Sequence, residues 1–304
     1  MPHRLSQSLQ RIMEIEAPLR RFFFESRYAH RDPADPAVCD FVAGNPQEMA
    51  LPELVESLQR WTVPQDKDWY AYKFNEPYAQ EAAAAGLREQ RGVPYEADDI
   101  LVTDGAFAGL NLCIRTVTDP GDEVIFLTPP WFFYEAIILG GQANPVRVAV
   151  NYETWDLDLD AIEAAITERT TAIIVNSPNN PSGKIYPPET LRALADVLTA
   201  GSERIGHPIY LISDEAYSRI VFDDRAFTSP TEFYPNSFLV PIRASVDHLV
   251  QQASAAIKAQ QRAELDTASI ASLSDTVIPA KAGIHPSAVR EADQWVPAFA
   301  GTTN

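Results

Sequence analysis

Residues that can do chemistry follow several apolar, strand-like segments of the chain. Asp214 comes directly after PIYLIS (208–213), where a carboxylate can pair with a cationic ring nitrogen in a partly desolvated site. Trp131 comes shortly after EVIFL (123–127), where its indole can lie against a planar heterocycle. The plain alternatives are a solvated acidic loop for Asp214 and core packing for Trp131.

Two further strand-like segments end in turns. ILVT (100–103) precedes DGAFAGLNLC (104–113), a glycine turn that opens a helix, and the free N–H groups at such a helix start can hold a phosphate. TAIIV (171–175) precedes NSPNNPSG (176–183), which is dense in turn-forming proline, asparagine and glycine. A turn without a ligand explains either segment taken alone.

The elements that must position these residues alternate between strands and helices. Amphipathic stretches such as LDAIEAAI (159–166) and PETLRALADVL (188–198) separate the strand-like runs. This alternation predicts an α/β three-layer sandwich, with a mostly parallel sheet between two layers of helices. Ligands of such sheets bind beyond the carboxyl ends of the strands, so the residues after each strand are the candidate site.

Composition narrows the class of protein. The chain has 304 residues, 46% of them hydrophobic, and a formal charge of −18, which argues against a nucleic-acid or anionic-membrane surface. Its two cysteines, Cys39 and Cys113, predict no disulfide framework and favour a reducing, cytoplasmic compartment. We expect no membrane span and no signal peptide, because neither kind of apolar run is present.

The N-terminal residues have a different pattern from the rest of the chain. Leu5, Leu9, Ile12 and Met13 recur at helical spacing, and a second helix is predicted at 50–60. We therefore expect a small helical arm before the alternating region.

Two of these segments together resemble a known family. The pattern N-x-P-x-N-P-[ST]-G in 176–183, followed about thirty residues later by D-E-x-Y in 214–217, resembles the class I/II aminotransferases of pyridoxal-phosphate fold type I. The resemblance covers about 40–239. It implies an N-terminal arm or part of a small domain in 1–70 and a cofactor-binding large domain, incomplete at its C-terminal part, in 71–240.

The resemblance implies a cofactor, pyridoxal 5′-phosphate, and a role for each matching position. Asn180 and Tyr217 would share the 3′-oxygen of the cofactor, and Asp214 would pair with its protonated ring nitrogen. The remaining implied contacts are the backbone N–H groups of Ala106 and Phe107 to the phosphate, the stacked ring of Trp131, the substrate pocket at Gly44 and Asn45, and Tyr72 on the phosphate of a neighbouring subunit.

The chain departs from the family at the catalytic lysine. Relatives carry a Schiff-base lysine a few tens of residues after the tyrosine, in a Ser-x-x-Lys context followed by G-x-R-x-G. None of the five lysines here has that context, and Lys258, the nearest in spacing, lies in an alanine-rich helical stretch. The C-terminal domain that carries the substrate-carboxylate arginine is also expected to be absent, so we predict no catalytic residue.

The tail, 241–304, does not resemble the family. IPAKAG (278–283) and VPAFAG (296–301) are peptides that one DNA stretch and its reverse complement encode, as in read-through of dispersed bacterial intergenic repeats. We therefore expect a frameshift near residue 240, with a disordered tail or a linker and a short helix. The loss of central strands would leave a gap with unpaired backbone groups, and hence a poorly soluble or partly unfolded chain.

Several functions follow as hypotheses. The resemblance implies amino-group transfer between an amino acid and a 2-oxo acid, in a protein that is inactive as this chain stands. One alternative is a non-catalytic remnant that binds pyridoxal phosphate without a covalent link; another is a carbon–sulfur lyase or decarboxylase of the same fold. A nucleotide-binding module that uses the DGAFAG turn has weaker support. Intact members are homodimers, and we do not extend that assembly to this chain.

Overall fold

The computed structural model describes residues 5–33, 35, 37–38, 40, 42, 49–72, 74–223 and 225–241, and the backbone of 280–284. The strands are β1 Ile100–Thr103, β2 Glu123–Thr128, β3 Asn144–Ala149, β4 Thr170–Asn176, β5 Tyr210–Glu215, β6 Ser237–Pro241 and β7 Ala280–Ile284. The helices are α1 Gln7–Ile15, α2 Ala17–Glu25, α3 Pro52–Trp61, α4 Pro77–Arg91, α5 Gly105–Val117, α6 Tyr134–Gly140, α7 Leu159–Ala165 and α8 Pro188–Ile205.

The strands form one sheet in the order β1-β7-β6-β5-β4-β2-β3. The pairs β3–β2, β2–β4, β4–β5 and β5–β6 are parallel, whereas β7 runs antiparallel to both β1 and β6. The predicted α/β class with a mostly parallel sheet is therefore confirmed.

Helices cover both faces of this sheet. Strand side chains alternate between faces, so Ile174 packs against α5 and α6, whereas Ile173 and Val175 pack against α7 and α8. A third cluster joins α4 to Ile100 of β1 and Leu239 of β6. Each face is buried, as expected for parallel strands connected by helices.

The gap expected from the loss of central strands is not present between β1 and β6. The backbone of β7 lies there, with Gly283 opposite both Ile100 and Leu239. Pairing of this kind uses backbone N–H and C=O groups, which almost every residue carries, so the family's own strand sequence is not required. Residues 242–279 and 285–304, where a disordered or frameshifted tail was expected, lie outside the described residues.

The helical arm appears as α1, α2 and α3. The hydroxyl of Ser6 caps α1 by accepting from the Leu9 N–H at 3.1 Å, and α1 then contacts α6. Among the described residues, no helix is both long and apolar enough to cross a membrane.

Candidate functional site

A buried carboxylate lies at the carboxyl end of β5. Asp214 is 5% exposed; its Oδ2 accepts from the Tyr134 hydroxyl at 2.5 Å and its Oδ1 from the Ala216 N–H at 3.3 Å. Burial raises the pKa of Asp214, although both hydrogen bonds act in the opposite direction. No arginine, lysine or histidine in the described part of the chain pairs with it, so its environment suits a cationic ligand atom.

Tyr134 is the residue that holds this carboxylate. Its side chain is buried at the start of α6, and its pKa lies well above the ordinary tyrosine value because of burial and then the charge of Asp214. It therefore stays protonated and donates at neutral pH. In the sequence Tyr134 lies three residues after Trp131, in a P-x-[YW]-x-x-Y pattern that the resemblance relates to the stacked ring, and nothing there indicates its contact with Asp214.

The turn after β4 meets the turn after β5. The side-chain amide of Asn180 donates to the Tyr217 hydroxyl at 3.0 Å. Asn176, the last residue of β4, connects the two turns: its Oδ1 accepts from the Asn180 N–H at 2.6 Å, and its Nδ2 donates to the Asp214 carbonyl at 3.0 Å. Asn176 was a motif position without an assigned role; the structure shows that it bonds to both Asn180 and Asp214.

The turn itself has a tight internal hydrogen-bond pattern. The Oδ1 of Asn179 accepts from both the N–H and the hydroxyl of Ser182, at 3.1 and 2.8 Å. Gly183 has a φ of 72°, a left-handed conformation that favours glycine. NSPNNPSG therefore builds a rigid turn that leaves the amide of Asn180 facing Tyr217.

Aromatic rings surround the half-buried Trp131. Phe107, Phe133 and Tyr134 contact it edge to face, with ring centroids 5.8, 5.2 and 5.5 Å away. Tyr134 also donates to Asp214, so one side chain contacts both the indole and the buried carboxylate. Core packing and a stacking role for Trp131 were alternatives from the sequence; here its ring packs against the core cluster and is partly accessible.

The start of α5 lies beside this cluster. Ala106 and Phe107 are its second and third residues, and helix geometry leaves their N–H groups without partners four residues back. The Asp104 side chain makes no capping bond to them. Ala106 is buried whereas Phe107 is 46% exposed, which places the Phe107 ring at the surface of the site.

The structure does not bring every expected residue together. Gly44 and Asn45, expected in the substrate pocket, lie outside the described residues. Tyr72 is fully exposed. A cavity of about 560 Å³ opens next to Asn180 and Tyr217 and is also lined by Ile220, Phe222 and Arg225.

The lysines lie elsewhere or are not described. Lys184 contacts the Thr154 carbonyl at 3.2 Å and an Asp156 carboxylate oxygen at 3.5 Å, while Lys67 pairs with Asp68. Lys281 is described only by its backbone, in β7. Lys73 and Lys258 lie outside the described residues.

The chain is similar to known aminotransferases in sequence and fold. It is 36% identical over 190 residues to a probable aspartate/prephenate aminotransferase of Thermus aquaticus, which covers 62% of this chain and 48% of that protein. It is 35% identical to an aspartate/prephenate aminotransferase of Thermus thermophilus, over 65% of this chain and 49% of the relative. The chain thus spans about half the length of the curated relatives it matches.

Solved structures of aminotransferases have a similar fold. An aspartate aminotransferase from Thermus thermophilus with maleate superposes with a TM-score of 0.65 at 25% identity, covering 90% of this chain and 73% of that one. An amino transferase from Eubacterium rectale gives a TM-score of 0.65 at 26% identity, covering 90% and 71%. The family model described as aminotransferase class I and II matches residues 37–254, well over half of the chain. This chain belongs to the class I and II aminotransferases.

Proposed function

We propose that this chain holds pyridoxal phosphate, the cofactor of its family, without a covalent link, and that it is an aminotransferase by descent that does not catalyse transfer as it stands. The observation that carries the proposal is the pairing of Asn180 with Tyr217 at 3.0 Å, joined through Asn176 to the buried Asp214. Two neutral hydrogen-bonding groups beside a buried carboxylate fit a ring that carries an oxygen and a protonated nitrogen.

Each residue has a physical task in this proposal. Asp214 keeps the ring nitrogen protonated, and Tyr134 keeps Asp214 in place by donating to it. Asn180 and Tyr217 orient the ring through its 3′-oxygen, while Trp131 covers one face. The free N–H groups at the start of α5 bind the phosphate. When bound, the cofactor supplies an electron-accepting ring for moving an amino group from an amino acid to a 2-oxo acid.

The proposal that the chain does not catalyse transfer rests on the positions of its lysines. Proton transfer at the substrate carbon needs a lysine within reach of the cofactor, and the two lysine side chains that the structure describes bind acids elsewhere. One observation favours the alternative of an active enzyme, whether aminotransferase, carbon–sulfur lyase or decarboxylase. Lys281 lies opposite Val102, one residue from the carboxyl end of β1, which is the edge of the sheet that carries the site.

Titration with the cofactor distinguishes a non-catalytic binding protein from an active enzyme. Full-length protein is titrated with pyridoxal phosphate, reduced with borohydride, digested and mapped by mass spectrometry, and it is assayed with aspartate and 2-oxoglutarate. Saturable binding without a specific lysine adduct or turnover supports the proposal. A single adduct at Lys281 with turnover, both lost in Lys281→Ala, supports the enzyme instead. Absence of saturable binding overturns both.

The assembly and location belong to the same proposal. The family acts on amino acids and 2-oxo acids, and its relatives here are named for aspartate and prephenate. Residues 71–240 would form the cofactor-binding unit with 1–70 as its arm, and the reduced, buried Cys113 is in keeping with a cytoplasmic site. Size-exclusion chromatography with light scattering distinguishes a monomer from the homodimer of the intact family.

A further inference from the structure

A second carboxylate in β5 faces away from the site. Side chains alternate along a strand, so Glu215 and Ser213 face the side of the sheet opposite to Asp214. Glu215 is fully buried. Its Oε1 accepts from the hydroxyls of Ser213, at 2.9 Å, and of Ser229, and its Oε2 accepts from Arg91. Three donors from three parts of the chain therefore converge on one carboxylate.

Arg91 comes from a distant part of the sequence. It is the last residue of α4, its side chain is 5% exposed, and the ring of Phe227 lies 5.5 Å from its guanidinium carbon. Burial raises the pKa of Glu215, and the positive charge of Arg91 is the largest effect that opposes this rise. The pair therefore fixes the end of α4 to the end of β5.

Ser229 adds a third element. It caps the short 3₁₀ turn Pro230–Glu232, in a capping box with Glu232, four residues before β6. The same hydroxyl that caps this turn donates to Glu215. The carboxylate thus joins α4, β5 and the approach to β6 at the point where the chain enters the turn that carries Tyr217.

The energetics of this cluster favour a positional role. Removing two opposite charges from water is costly, and apolar residues of similar volume in their place often leave a protein as stable or more so. Stability alone therefore gives little reason for an ion pair at this position. The position of Glu215 in the chain suggests another reason, because Glu215 lies between Asp214 and the turn that carries Tyr217.

We infer that Glu215, held by Arg91 and Ser229, is a positioning residue that fixes the backbone from Asp214 to Tyr217, and so sets the spacing between the ring-nitrogen carboxylate and the 3′-oxygen phenol. The role of that spacing rests on the proposed function. Glu215, Arg91 and Ser229, which we call the clamp, meet on the face of the sheet opposite to the Asp214 side chain.

The test compares two acid–arginine pairs: in Arg91–Glu215 both side chains are buried, whereas in Arg169–Glu123 only the acid is. Glu215→Gln removes the charge of the clamp; Glu123→Gln is the matched control, because Glu123 binds Arg169 and Thr167 at the opposite, amino end of the sheet. Hydrogen–deuterium exchange of ligand-free full-length protein reports on 214–220, and titration reports the affinity for pyridoxal phosphate. We expect Glu215→Gln to raise the exchange rate across 214–220 about tenfold, and to raise the Kd for pyridoxal phosphate about tenfold as well. We expect Glu123→Gln to change neither quantity.

Each outcome decides the inference. The inference is wrong if Glu215→Gln exchanges across 214–220 at the wild-type rate. It is also wrong if Glu123→Gln raises the exchange rate there by the same factor. If Glu215→Gln does not fold, Glu215→Asp replaces it, since the shorter carboxylate keeps the charge but retracts from Arg91; the same local rise in exchange supports the inference, and no rise overturns it. If wild-type protein does not bind pyridoxal phosphate, the proposed function fails, and the exchange comparison in ligand-free protein still decides the clamp.

Discussion

Asn180 and Tyr217, 37 residues apart, meet with 3.0 Å between the amide nitrogen and the phenolic oxygen. Their contact joins the turns that follow two adjacent parallel strands, β4 and β5. Because a side chain already oriented by one bond loses less freedom on binding, the pair is pre-organised for a ligand oxygen placed between them.

Tyr217→Phe should weaken binding of pyridoxal phosphate without unfolding the protein. The change removes one hydrogen bond to a charged oxygen, worth about 1.5–3 kcal/mol, so the Kd should rise about tenfold or more. Fluorescence titration measures it. Tyr152→Phe is the control, since that exposed tyrosine contacts Trp155 edge to face outside the site; equal losses in the two variants would count against the role of Tyr217.

Asp214 should make the ligand-free protein less stable as pH rises. Burial raises its folded pKa above the ordinary value of about 3.9, so the folded state binds this proton more tightly than the unfolded chain. The free energy of unfolding then falls as pH increases from that ordinary value through the raised pKa, and it stays at the lower level above it. Asp214→Asn removes this contribution.

Urea denaturation of wild type and Asp214→Asn between pH 4 and 8 checks this sign. The variant should gain stability relative to wild type as pH increases through the window. Glu215 is shifted in the same direction, but it is present in both proteins and cancels in the difference. A difference that is constant with pH would contradict the expectation.

Trp131 should report ligand binding by its fluorescence. A cofactor ring against the indole quenches it, so Trp131→Phe should abolish most of the quenching that pyridoxal phosphate causes in wild type. Phenylalanine retains an aromatic face, and we expect the Kd to rise only a few-fold. Trp155→Phe is the matched control, because Trp155 packs on Tyr152; loss of quenching there instead would place the ligand elsewhere.

Two glycines should respond oppositely to alanine. A Cβ on Gly201 in α8 would lie 2.9 Å from Ile166 Cδ1 and 3.2 Å from Ile209 Cδ1, so overpacking should outweigh the helical gain and cost about 1 kcal/mol net. A Cβ on Gly140 in α6 meets nothing within 4 Å, and alanine should stabilise by up to about 1 kcal/mol. Thermal unfolding of both variants tests the pair; a higher Tm for Gly201→Ala would refute the packing argument.

Cys113 should be inert in the folded protein. Cys113 is a buried residue of α5, and burial raises the pKa of its thiol to about 12, so little thiolate forms at pH 8. Iodoacetamide should label the Cys113 peptide only after unfolding in urea, as read by peptide mass spectrometry. Rapid labelling of native protein at this position would show that the α5 core opens.

The sequence predicted the strands best where apolar runs are long and bounded by turns. Runs at 100–103, 123–127 and 171–175 lie within β1, β2 and β4, and the predicted class of sheet followed from their alternation with helices. The run at 208–213 was placed too early, because β5 extends through Asp214 and Glu215. Acidic residues are poor strand formers, and only their burial between β4 and β6 keeps them in the sheet.

The missed site contacts depend on tertiary packing. Arg91 and Glu215 are 124 residues apart, and Tyr134 and Asp214 are 80 apart, so no local pattern connects them. Periodicity shows which residues are buried but not which polar partner each one meets. Only Asn176, the first position of the motif in 176–183, could have been singled out from the sequence as a further site residue.

The opposite orientation of Asp214 and Glu215 also limits how β5 can change. Slipping a strand by one residue turns every side chain to the other face, so an insertion or deletion within Tyr210–Ser213 would exchange the two carboxylates. The longer acid would then enter the aromatic side of the site and the shorter one would face Arg91. Changes of chain length are therefore confined to the turns at the two ends of β5.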